Sequence, residues 1–187
     1  MSKRSTRDSL LAAAMALFGE RGYDATTTVE IARRAGVSEM TLFRHFPAKA
    51  ALVVDDPYDP VIAECVAARP AEEDPLLATV RGVRDAWSAV PEPETAAVLE
   101  RLLIVARTPG LRTALASGSA RTEQAISESL ESRGTDPASA RIAAAAAMAA
   151  LNAALLHWAE FAPGSPLGEG LAKAFRVLES GCPDADA

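Results

Sequence analysis

TVEIARRAGVSEMTLFRHF, residues 28–46, decides how the rest of the chain is read. Thr27 stands just before it and Glu30 follows three positions later. That is the pattern of a capping box, in which each residue's side chain satisfies an orphan amide of the other. Ile31, Ala32 and Ala35 give the helix so started a small apolar face. Gly36 ends it, because a residue without Cβ turns left-handed at little cost. Val37 is the apolar plug of the turn, and Ser38 is a good N-cap for a second helix. There Leu42 and Phe46 lie four apart and point inward, leaving Glu39, Met40, Thr41 and Arg44 on the outer face. Two short helices joined by a tight turn, the second carrying polar groups outward, have the shape of a helix-turn-helix DNA reader. Ordinary helical hairpins also use A-G-V-S between helices, so the flanks must decide.

The flanks favour DNA. Residues 6–22 form an amphipathic helix with Leu10, Leu11, Ala14, Leu17 and Phe18 on one side, closed by Arg21 and Gly22. After the second helix, Pro47-Ala48-Lys49 is expected to open another helix at Ala48, with Lys49 in its first turn as a phosphate clamp. The chain of 187 residues has a net charge of −6, which looks wrong for a nucleic-acid binder until it is divided. Residues 1–50 hold eight Lys and Arg against five acids; the remainder holds eleven against twenty. The positive charge sits where a phosphate backbone would lie, and the acidic remainder repels it. Lys3, Arg4 and Arg7 are either further phosphate contacts or a solubilising tail.

The segment AAAMALFGERGYDATTTVEIARRAGVSEMTLFRHFPAKAALV resembles the DNA-binding domain of the tetracycline-repressor (TetR) family of bacterial transcription regulators. LFGERGY, TT-x-x-IA, AGVS and TLFRHF-x-x-K stand together at family spacing, without a gap from Arg7 to Val53. The resemblance implies an all-α protein of about nine helices. Residues 1–50 would be a three-helix DNA-binding domain and residues 51–187 a regulatory and dimerisation domain. It implies a homodimer on a palindromic, double-stranded operator, acting as a repressor and released by a small lipophilic effector, acyl-CoA-like or aromatic. A regulator without an effector, or an activator, is the alternative. Thr27, Thr28, Phe43, Arg44, His45 and Lys49 are then candidates to hold the DNA backbone. Glu39, Met40 and Thr41 face the bases, with Val29 at their edge and Ser38 at the helix start. Two residues depart from the family pattern. Phe43 stands where a tyrosine usually offers a hydroxyl to a phosphate. Met40 stands where glycine or proline is common, and its flexible thioether could pack on a thymine methyl.

The remainder reads as helices. The fourth is interrupted at DDPYDP, residues 55–60, because proline cannot continue a helix. Further helices are expected over 61–68, 75–90, 93–107, 110–133, 137–162 and 167–179, with Gly118 a possible break and Asp136-Pro137 a start signal. ARIAAAAAMAALNAALLHWAEF, within 137–162, is nearly uncharged, yet too rich in alanine for a convincing membrane span. The family packs its last two helices against their mates, which makes Leu151, Leu155, Trp158, Leu171, Phe175 and Leu178 candidates for a dimer seam. A buried core helix is the alternative. Trp87, Leu103, Arg107, Met148 and Asn152 are candidates for a ligand pocket, with Asn152 conspicuous as an amide in an apolar helix. No cofactor or metal is implied: Cys65 and Cys182 have no metal-ligand spacing, and no Gly-rich phosphate loop or nucleophile motif is present, so an enzyme is disfavoured. Reduced thiols and a start without a signal peptide point to the cytoplasm.

Overall fold

The computed structural model describes residues 5–54, 59–88, 92–162 and 164–180. Lys3, Arg4, Cys182 and the interruption at 55–58 lie outside these. The described residues contain eleven helices and no strand. The first three are α1 (Thr6–Arg21), α2 (Thr28–Arg34) and α3 (Glu39–His45). A short α4 (Ala51–Val54) leads to α5 (Asp59–Ala67), α6 (Pro75–Ser88) and α7 (Glu92–Arg107). Then follow α8 (Pro109–Gly118), α9 (Ala120–Ser132), α10 (Pro137–Phe161) and α11 (Leu167–Glu179).

The caps explain where the reader helices begin and end. Thr27 Oγ1 accepts from the Glu30 amide at 3.2 Å, and Glu30 Oε2 accepts from the Thr27 amide at 2.9 Å. Gly36 turns the chain at φ 74°, a conformation that costs most other residues about 1 kcal/mol or more. Ser38 Oγ accepts from the Thr41 amide at 3.2 Å. Leu10, Ile31, Leu42 and Phe46 are fully buried beneath these helices. Each large side chain so buried contributes about 1.5–3 kcal/mol. This core does not stop at residue 50. It continues through Leu52 and Val53 of α4 to Val105 of α7 and Leu111 of α8.

A second core joins α5, α6, α7, α9, α10 and α11, with Ile62, Val66, Ile126, Leu130, Leu151, Trp158 and Phe175 among its members. Gly82 lets α5 and α6 close up: a Cβ there would lie 2.8 Å from the Val66 Cα. Asp136 caps α10 through its carboxylate, ahead of Pro137 at the first helical position.

Two boundaries differ from the sequence reading. The fourth helix starts at Ala51, not Ala48, because residues 48–50 are used in tight turns that bond three residues ahead, with the Ala51 and Leu52 amides donating to Ala48 and Lys49 carbonyls. The stretch 110–133 divides into α8 and α9 at Ser119, which keeps near-helical angles, so the break is a bend and not a loop. α10 is long and apolar enough to cross a membrane by length and composition, but nine of its residues are buried against other helices. Packing inside the protein accounts for the apolar character of that face.

Candidate nucleic-acid interface and internal cavity

The outer surface of α2 and α3 collects most of the predicted reader residues. Thr27, Val29, Ser38, Met40, Phe43, Arg44 and His45 are exposed, and Thr28, Glu39 and Thr41 are partly so. Met40 is the most open, at 82%. Val29, Met40 and Phe43 are the exposed large apolar side chains of α1–α4. They sit among hydroxyls and cations.

Hydrogen bonds divide the polar groups into spent and available ones. Thr28 Oγ1 donates to Glu39 Oε1, which ties α2 to α3 and makes a pair out of two residues expected to act separately. Ser38 Oγ and Thr41 Oγ1 lie 2.9 Å apart. Arg21 pairs with Glu30 at 2.8 Å, and Arg34 with Glu20 at 2.8 Å. The Thr27 amide and hydroxyl, then Arg21, hold the Glu30 carboxyl below its ordinary range, so it stays an anion anchoring the cap. Arg33 and Arg44 form no ion pair among the described residues, and both are exposed.

Lys49 is not the open helix-start clamp expected of it. Its Nζ donates to the Tyr23 and Thr26 carbonyls, each at 3.0 Å, and stands 4.1 Å from the centre of the Tyr23 ring. Two of its three N–H donors therefore pin the α1–α2 loop beneath the reader. Arg7 likewise lies over the Phe46 ring, 5.0 Å from its centre.

The body contains a narrow, partly open cavity of about 50 Å³. Trp87, Met148 and Asn152 line it, as expected from sequence. Leu103 and Arg107 do not. They lie on another side of α7, where with Phe18, Tyr23 and Glu100 they border an open cleft of about 560 Å³ next to α1. The helical spacing explains this: Val98, Leu102 and Val105 form the buried face of α7, and positions 103 and 107 fall outside it. Sequence reasoning missed Arg101, Ser119, Thr122, Val53 and Val54 in the cavity wall. Arg101 had a signal: it is a cation three residues from Val98 and next to Leu102, on the face that turns inward.

Most of the residues expected at a dimer seam lie inside the single chain. Leu151, Leu155, Trp158, Leu171 and Phe175 are buried within the single chain, and Leu178 packs partly against the same core. Leu151 and Leu155 also line the cavity. The large side chains were claimed by the protein's own core. The exposed side of α10 runs instead through Ile142, Ala146, Ala149, Ala153, His157 and Phe161, spaced three or four apart. Phe161 is 72% exposed, and a groove with Val177 and Lys173 of α11 flanks this stripe. Among the described residues no group of three or more His, Cys, Asp or Glu is placed to hold a metal ion.

Both parts of the chain are similar to known proteins. The family model "Bacterial regulatory proteins, tetR family" matches residues 10–55, and "MftR C-terminal domain" matches residues 73–183. The chain is 36% identical over 115 residues to the HTH-type transcriptional regulator TcmR of Streptomyces glaucescens, covering 58% of this chain and 51% of that one. It is 54% identical over 50 residues to the uncharacterized HTH-type transcriptional regulator YvkB of Bacillus subtilis (strain 168), covering 27% and 26%. The aligned stretch is thus about half of TcmR and about a quarter of YvkB. Among solved structures, the repressor FadR of Thermus thermophilus in complex with lauroyl-CoA aligns over 94% of both chains, with a TM-score of 0.55 and 26% identity. SmeT, the repressor of a Stenotrophomonas maltophilia multidrug efflux pump, aligns over 98% of this chain and 94% of its own, with a TM-score of 0.60 and 20% identity. At that identity the second likeness speaks for the fold alone.

Proposed function

The chain belongs to the tetR family of bacterial regulatory proteins, and from that footing we propose that it is a ligand-responsive transcriptional repressor, not an enzyme. Two copies bind a palindromic operator in the cytoplasm, and a small lipophilic molecule in the body releases them. Arg33 and Arg44 grip phosphates, while Val29, Met40 and Thr41 approach base edges. One α3 of seven residues covers few base pairs, so useful specificity calls for a two-fold pair of readers. The exposed alanine stripe of α10, with Ile142 and Phe161 at its ends, supplies a surface suited to that pairing, since small side chains let helices approach closely.

The observation that carries the ligand response is a shared wall. Val53 and Val105 belong to the core under the reader helices and also line the body's cavity. Arg101 Nε donates to the Val53 carbonyl at 3.0 Å, and Gly118 faces Val54, its Cβ position 3.5 Å from Cγ2. A molecule that enlarges the cavity presses on α4, and α4 is packed into the reader's base. The molecule need favour the released arrangement by only about 1–3 kcal/mol to be an effective switch. The FadR relative holds lauroyl-CoA, a molecule with a long apolar chain, which supports an apolar effector here.

The test is selection of DNA by the native chain from a random pool, followed by counting chains per duplex by mass photometry. An inverted repeat holding two chains is expected. Selection of no sequence, or of a single half-site holding one chain, would overturn the proposal.

A further inference from the structure

The orientation of one amide narrows what the cavity can take. Ser119 Oγ donates to the Leu115 carbonyl at 3.1 Å. A hydroxyl has one proton, so toward Asn152 it can act only as an acceptor. The Asn152 amide must therefore turn its Nδ2 to Ser119, at 2.8 Å. This fixes the amide by hydrogen-bond logic and leaves Oδ1 as its other end. Oδ1 accepts no hydrogen bond among the described residues, and Asn152 lines the cavity. Among the described residues Arg101 is the single charged one of the lining, and its Nε is engaged with Val53. Most of the remaining wall is apolar, with Leu102, Met148 and Leu155 part of it and the Thr122 hydroxyl and Trp87 indole N–H as its other polar groups.

We propose that the cavity takes a neutral, apolar, ring-sized molecule carrying one hydroxyl or N–H donor, and that Asn152 Oδ1 accepts that donor. This rests on the reading of the cavity as the effector site. A coenzyme A thioester fits it poorly. Its phosphates need several cations at the mouth of the site, whereas the described lining residues offer one and residues 51–187 carry twenty acids against eleven bases. A carboxylate would have to turn to Arg101 rather than to Asn152 Oδ1, which is itself an acceptor. At about 50 Å³ the cavity is smaller than the roughly 150 Å³ that holds a benzene ring in a protein core, so a ring enters only by displacing its walls. Val53 and Val54 are among those walls, which links occupancy to the reader.

Calorimetric titration of the full chain with 4-butylphenol, butylbenzene, 4-butylbenzoic acid and lauroyl-CoA tests this. The phenol is expected to bind about tenfold tighter than butylbenzene, the effect of one added hydrogen bond. In Asn152→Leu that preference should vanish while butylbenzene affinity stays within about threefold. The preference is a ratio measured within one variant, so partial unfolding does not mask it. A second variant, Ser119→Ala, unlocks the amide; 4-butylanisole, which offers only an acceptor, should then gain on the phenol. Equal binding of phenol and butylbenzene, or tighter binding of the acid or of lauroyl-CoA, would overturn the inference and leave the effector cavity standing. If no probe binds and none releases selected DNA, the inference fails and the cavity's role in release fails with it.

Discussion

Two patches of this molecule expose large apolar side chains, and their neighbours differ. On the reader, Val29, Met40 and Phe43 stand among Thr27, Ser38, Arg33 and Arg44. On the last two helices, Ile142, Phe161 and Val177 stand around a stripe of alanines, with Lys173 and Glu169 beside it. Together these account for six of the seven exposed large hydrophobics among the described residues. Contiguous exposed apolar patches mark interaction surfaces. The neighbours say for what: cations and hydroxyls suit a phosphate-bearing groove with thymine methyls, and small side chains suit another helix.

The strongest way to break this comparison is to put a charge on the second patch. Ala153→Glu is expected to abolish pairing of the chains, because a buried unpaired carboxylate costs about 3–5 kcal/mol. Sedimentation should show a folded monomer, and operator binding should fall by at least about a hundredfold. A dimer of unchanged strength would move the interface elsewhere. Lys49→Ala comes next. Losing two charge-assisted bonds and the ring contact should destabilise the head by about 2–3 kcal/mol, seen as a lower melting temperature without DNA. If stability were unchanged and only DNA affinity fell, Lys49 would be a phosphate clamp after all.

The two patches also differ in how far sequence alone reveals them. The reader is built from local rules, and local rules are legible. Thr27, Glu30, Gly36 and Ser38 each act within three residues of themselves, so the helix ends could be placed before any packing was known. The hold of Lys49 on the α1–α2 loop is not legible locally, because its partners, Tyr23 and Thr26, lie more than twenty residues away. α10 is harder. It is apolar on every side, so periodicity cannot say which side is inward. Leu151, Leu155 and Trp158 are seam candidates by their place on the last two helices, yet large side chains fill a core most effectively and these pack there. The exposed stripe carries the small ones. In the cavity, Trp87, Met148 and Asn152 could be picked out by residue type. Val53 and Ser119 could not, because only the tertiary crossing of α4, α8, α9 and α10 brings them together.

Smaller effects sharpen the reader side. Arg44→Ala should weaken binding to every sequence by about 1–2 kcal/mol and lower the slope of log affinity against log salt by about one. An unchanged slope would mean that Arg44 does not meet a phosphate. Phe43→Tyr should restore a hydroxyl where the family commonly has one and tighten binding a few-fold, about 0.5–1 kcal/mol, on specific and non-specific DNA alike. Tightening confined to one operator would place residue 43 against a base instead.

The most direct measurement removes methyl groups from the DNA and leaves the protein intact. Replacing thymine by uracil across each half-site of the selected operator deletes only the C5-methyl groups. If Val29 and Met40 read them, affinity should fall about three- to tenfold in the native chain, and the loss should shrink in Met40→Ala. The same affinity for thymine and uracil operators would contradict the account, because the exposed apolar patch of the reader would then have no counterpart on the DNA.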